Sequence, residues 1–231
     1  MSNALTFNYG RVEELLGKPF DPVYAFLQQV PQLIVRAREI GARSAYSYRN
    51  VYVAGSIYGI DESEKTVWQE TTGSVKRQGK EKVCFEKRAL ALASKTLIPR
   101  IIGMVILGAS DRRQIESISG LATPTLHPCV VCRAETLAQH PAVSASTLAV
   151  TSGLQGDVNQ VFSVGQLQRL YERAGRGDID AALYESHSDF TDWEQRLARY
   201  GDAVQRLEGT APSIDTRLGL AQLAMSGSLK I

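Results

Sequence analysis

The tightest constraint on this chain is where its three cysteines fall. Cys84 stands two residues before Glu86, at the start of a helical-looking run, "VCFEKRALALASKTL". Cys129 and Cys132 form a C-x-x-C pair directly after Pro128, in "HPCVVCRAETLAQH", which also reads as a helix. Between the two lies "IIGMVILGAS", Ile101–Ser110, a continuous apolar run of the kind expected of a strand buried on both faces. Proline is at home at the first turn of a helix, which sets the C-x-x-C thiols at a positive helix end, where thiolates are favoured.

Three thiolates suit Zn²⁺, an ion that prefers four tetrahedral ligands. His127, His140 and His187 do not stand at a spacing that recommends any of them as the fourth. Three protein ligands with one open position make a catalytic rather than a structural zinc site. With Cys84 in the first turn of its helix, Glu86 would project beside that open position, within reach of a proton on water. Two other readings stay open. A redox C-x-x-C pair needs a thioredoxin-like strand order and leaves Cys84 without a role; three buried thiols could simply be small core residues.

The 231 residues are 44% hydrophobic and 22% charged, enough for a full core. "DPVYAFLQQV" and "PQLIVRAREIGARSAY" read as two helical pieces, because Pro31 can begin a helix but breaks a continuous one. "NVYVAGSIYGI" and "TVWQETTGSV" form a hairpin pattern around the polar turn "DESEK". Strand–helix alternation follows, with further strands at Ala145–Ser152 and at the start of "QVFSVGQLQRLY". The order specifies an α/β fold, a three-layer α/β/α sandwich on a mixed five-stranded sheet. Extra helices are expected at both ends: an N-terminal extension over 1–30, a core over 31–171 and a C-terminal extension over 172–231. In the last of these, Trp193, Leu197, Tyr200, Val204 and Leu207 make a periodic apolar stripe that should pack on the core.

A net charge of +2 argues against nucleic acid or a membrane surface as partner. No apolar run approaches the ~18 residues of a membrane helix, and the first residues lack the pattern of a signal peptide. An odd number of cysteines suits a reducing cytoplasm better than a disulfide framework. "KRQGKEK", Lys76–Lys82, reads as a solvated loop before a preference for a phosphate or carboxylate on a substrate.

A ligand-x-Glu segment followed by Pro-Cys-x-x-Cys is the pattern of the zinc deaminases. The chain resembles the cytidine deaminase family, in particular its free-nucleoside branch, which uses C-x-E where most polynucleotide editors use H-x-E; it is also similar to blasticidin-S deaminase. "ARSAYSYRNVYVAGSIYG" is similar to the family's approach to its first strand, "PCVVCRAETLAQHP" to its Pro-Cys-Gly-x-Cys-Arg-Gln, and "VFSVGQLQRLY" to its closing strand and helix. The likeness spans Pro31 to Tyr171. It implies hydrolytic release of ammonia from a cytidine-like free nucleoside or a related aminated heterocycle. It implies one Zn²⁺ per chain on Cys84, Cys129 and Cys132, with Glu86 as the proton shuttle, in a homo-oligomer, dimer or tetramer. It further implies that backbone groups at Phe85 and His127 hold the amine, and that Lys87, Arg88 and Arg133 offset the negative charge of a tri-thiolate site.

The departures fall on specificity. Ser74 and Lys76 stand where the family grips the ribose hydroxyls with Asn-x-Glu. Val51, with Tyr52 adjacent, stands where an aromatic stacks on the pyrimidine, and Ala134 follows Arg133 in place of Gln. Two rival functions are the same chemistry on a base in RNA or DNA, and a catalytically silent zinc protein that assembles through its C-terminal helices.

Overall fold

The computed structural model describes residues 21–43, 53–61, 66–73, 84–108, 111–154, 158–178, 192–210 and 212–229. Helix α1 spans Pro22–Arg43, followed by strands β1 (Val53–Ile60) and β2 (Thr66–Gly73), helix α2 (Phe85–Lys95), strand β3 (Arg100–Gly108) and helix α3 (Arg112–Ser119). A π-helical turn at Cys132–Leu137 precedes β4 (Leu148–Gly153), β5 (Asn159–Ser163), α4 (Val164–Gly175), α5 (Trp193–Arg206) and α6 (Ile214–Met225). The strands form one sheet in the order β2-β1-β3-β4-β5. Every neighbouring pair is antiparallel except β3 and β4, which run parallel and are joined by the crossover containing α3 and the π-helical turn.

Central β3 is buried at every residue after Arg100, as its unbroken apolar sequence requires. Val105 and Leu107 face one core with Phe26, Leu33 and Ile34 of α1. Met104 and Ile106 face a second, with Phe85 and Leu90 of α2, Leu137 and Leu167. Helices therefore cover both faces of the sheet. The approach of α1 is close: a Cβ on Gly103 would lie 2.3 Å from the Phe26 ring. Helix α4 starts with a capping box, Ser163 and Gln166 each bonding the other's backbone N–H.

The expected break at Pro31 does not occur. Helix α1 runs through the proline, so the expected boundary at residue 30 falls inside it. Proline has no N–H to offer the carbonyl four residues earlier, that of Leu27. The Trp193 indole N–H donates to that carbonyl instead, at 2.9 Å. Asp21 begins the helix, its Oδ1 accepting from the N–H of Val23 (2.9 Å) and Tyr24 (3.2 Å). Its other oxygen accepts from the Tyr200 hydroxyl at 2.7 Å. The C-terminal stripe accordingly packs on the core: Trp193 and Tyr200 share the α1 cluster, and Leu197 and Val204 pack against it. The short helix expected over Arg11–Gly17 lies outside the described residues. Among the described residues no helix is long and apolar enough to cross a membrane.

Candidate metal centre and active site

Cys84 is the cap residue just before α2, one position short of the expected first turn, with φ −66° and ψ 155°. Its side chain makes no capping bond; it turns to Cys129, Sγ to Sγ at 3.6 Å. Cys129 sits where the chain leaves Pro128, and Cys132 opens the π-helical turn where a regular helix was expected. Such turns are common where a helix must present side chains to a site. The three ligand atoms lie within 4.8 Å of one another, although Cys84 and Cys129 stand 45 residues apart in sequence. All three are free thiols.

The donor set fits a tetrahedral ion. Bonds of ~2.3 Å from zinc to sulfur place ligating sulfurs ~3.8 Å apart, close to the 3.6 Å between Cys84 and Cys129. Ionisation of the trio without a cation is unfavourable. Its hydrogen bond with Cys129, and then burial, push the Cys84 thiol up from an ordinary 9.0 to about 11. Cys132 is driven further in the same direction by its bonds with Cys129 and Cys84. A group of this kind takes up negative charge together with a cation. Among the described residues no histidine or carboxylate joins it. His140 bonds Ser94 Oγ at 3.1 Å, and His187 lies outside the described residues.

Glu86 lies in the first turn of α2, only 5% exposed, at the helix end that favours a carboxylate. It lines one pocket with Cys84, Cys129, His127 and the apolar Val53, Phe85, Ile106 and Leu126, a space of about 380 Å³ counting its open mouth. Gly55 of β1 makes room for Phe85, whose ring would lie 2.9 Å from a Cβ there. Residue spacing along α2 then separates the expected cations. Phe85, Glu86, Ala89 and Leu90 are buried, whereas Lys87 and Arg88 are exposed on the outer face, where solvent screens them. Arg133 alone of the three expected cations is buried by the cluster, 7% exposed. Its guanidinium donates to the carbonyls of Ser119 (3.0 Å) and Pro128, and lies 3.2 Å from the centre of the Tyr171 ring.

His127 is buried, and burial lowers its pKa to about 4, so the ring is neutral. The His127 backbone N–H donates to Ser119 Oγ (3.0 Å) and its backbone carbonyl accepts from the same hydroxyl (3.1 Å). Ser119, Gln160 and Tyr171 are site neighbours that sequence reasoning missed. A polar Gln160 two residues from apolar Phe162 on the same face of a buried strand was the available signal. Val51, Tyr52, Ser74 and Lys76 lie outside the described residues.

A mixed α/β sheet carrying a three-cysteine group that could hold a metal ion, beside a buried glutamate, is the arrangement that the C-x-E and P-C-x-x-C motifs imply. No family model matches the chain, and no curated protein matches it. Among solved structures it is similar to a cytidine deaminase from Burkholderia pseudomallei, with 19% identity, a TM-score of 0.43, and coverage of 59% of this chain and 94% of that one. It is also similar to a cytidine deaminase from Mycobacterium leprae, with 17% identity, a TM-score of 0.38 and the same coverages of 59% and 94%.

Proposed function

We propose that this chain is a zinc-dependent hydrolytic deaminase of the cytidine deaminase superfamily. Its substrate on this reading is a cytidine-like free nucleoside or a related aminated heterocycle. The observation that carries the reading is the group of three sulfurs within 4.8 Å, with Glu86 buried in the first turn of the helix that Cys84 caps. Cys84, Cys129 and Cys132 would hold one Zn²⁺ per chain. Bound there, the ion would supply Lewis acidity and bring the pKa of water to about 7.

The chain's own residues do the rest. Glu86 accepts a proton from the attacking water and delivers it to a ring nitrogen, as the water oxygen bonds to the amine-bearing carbon. Glu86 then passes the second proton to the amine; the carbon–nitrogen bond breaks, ammonia leaves and a carbonyl remains. Val53, Phe85, Ile106 and Leu126 offer the flat ring an apolar surround. Arg133 offsets the charge of the thiolates, and backbone groups at Phe85 and His127 hold the amine. Val51, Tyr52, Ser74 and Lys76 are proposed to contact the remainder of the substrate.

The catalytic unit is residues 31–171 together with the first part of α1, which one continuous helix joins to it. The protein works as a cytoplasmic homo-oligomer, and its net charge of +2 favours a small substrate over nucleic acid. Ammonia release across cytosine, adenine and guanine bases, nucleosides and nucleotides tests the reading. Release from at least one, lost in Glu86→Gln, is expected; zinc-loaded protein that releases none overturns it.

A further inference from the structure

A hydrogen-bonded chain runs through the ring of His127, whereas the chemistry above uses only that residue's backbone. Thr151 Oγ1 on β4 lies 2.6 Å from Thr125 Oγ1, which donates to Gln160 Oε1 on β5 at 2.7 Å. The same amide oxygen faces His127 Nε2 at 3.0 Å, and His127 Nδ1 lies 3.1 Å from the Tyr171 hydroxyl on α4. Thr125, Thr151, Gln160 and His127 are each at most 1% exposed. An amide oxygen only accepts, so His127 carries its proton on Nε2 and accepts the Tyr171 hydroxyl proton at Nδ1. Both ring nitrogens and both main-chain polar groups of His127 are thus engaged, one residue before Pro128 and two before Cys129. The Tyr171 ring in turn covers Arg133, which binds the Pro128 carbonyl.

Apolar side chains of similar volume would fill this space without desolvating so many polar groups. What the polar chain adds is direction. We propose that His127 and Tyr171, tied through Gln160 to the sheet, are positioning residues that hold the Pro128–Cys132 segment in the geometry the ion requires. The inference rests on the reading of Cys84, Cys129 and Cys132 as metal ligands.

The test is titration of metal-free full-length protein with Zn²⁺ and Co²⁺ against a chromophoric chelator, for the wild type, Tyr171→Phe and Gln160→Met, with the Tm of each metal-free protein alongside. Tyr171→Phe keeps the ring over Arg133 and removes only the hydroxyl; Gln160→Met keeps the volume. Each variant should lose several-fold in metal affinity, less than the about 10- to 100-fold cost of removing a direct partner of a metal ligand, because both side chains act through His127. The Co²⁺–thiolate absorption should shift, and the double variant should lose less than the product of the two single effects, because both cut one chain. Variants with wild-type affinity and spectrum, whatever their Tm, overturn the positioning role and leave the metal reading standing. A wild-type protein that takes up neither ion overturns both.

Discussion

The Trp193 indole N–H lies 2.9 Å from the Leu27 carbonyl, the one that Pro31 leaves without its helical donor. A residue 166 positions away thereby completes the backbone bonding of α1. Helix α5 is in this sense part of α1's own hydrogen-bond pattern, and the C-terminal helices share one apolar cluster with α1.

Removing that donor should be costly, and the cost should depend on Pro31. Trp193→Phe leaves a buried carbonyl without a partner, a loss of about 1–3 kcal/mol. Adding Pro31→Ala supplies a backbone N–H and should recover much of it. Urea unfolding of the two single variants and the double gives the coupling; simple additivity would show that the indole bond is incidental.

Metal removal carries a signed pH dependence. In metal-free protein the raised pKa of Cys84, about 11 against an ordinary 9.0, means the folded state resists ionisation. That contribution is fully present below pH 9.0 and is lost as the pH rises towards about 11. Metal uptake near neutral pH must expel thiol protons, so zinc affinity should rise with pH. Calorimetry in buffers of different ionisation enthalpy measures the protons released, and chelation of the ion should restore the metal-free profile.

His127 gives the opposite sign. Burial lowers its pKa from 6.5 to about 4. Its contribution to stability is present above pH 6.5 and is lost as the pH falls through this window to about 4. Unfolding measured at pH 7, 5.5 and 4.5 should show this decline in the wild type, and a smaller decline in His127→Gln over the same range. Equal declines would place the titration elsewhere.

Glu86 and the outward cations of α2 should separate cleanly. Glu86→Gln keeps the shape but cannot shuttle protons, so ammonia release should fall by about 10²–10⁴-fold with zinc content unchanged. Lys87→Ala and Arg88→Ala, at exposed positions, should each alter stability by less than about 0.5 kcal/mol. Arg133→Lys should cost more than either, because an ammonium cannot reproduce the planar fork to Ser119 and Pro128 or lie flat on Tyr171.

Much of the site was legible because it is written in spacing. C-x-E puts Cys84 at a helix cap and Glu86 in the first turn, and P-C-x-x-C sets two thiols around one turn. The exposure of Lys87 and Arg88 was not legible, because nearness in sequence does not set the face of a helix: Glu86 and Arg88 differ by about 200° around the axis. The network through Gln160, Thr125 and Tyr171 was not legible, since its partners stand 26 to 44 residues apart.

The sequence by itself determined the strands, through runs such as Ile101–Ser110, and the identity of the candidate ligands, because periodicity and local spacing act over a few residues. Only the tertiary structure decided that Pro31 could sit inside a helix, that Arg133 rather than Lys87 or Arg88 is buried by the sulfurs, and that His127 is held at every polar atom. Each of those outcomes depends on a hydrogen-bond or ring partner, or on a burial, supplied by a distant part of the chain. Such partners exist only once the sheet has brought them together.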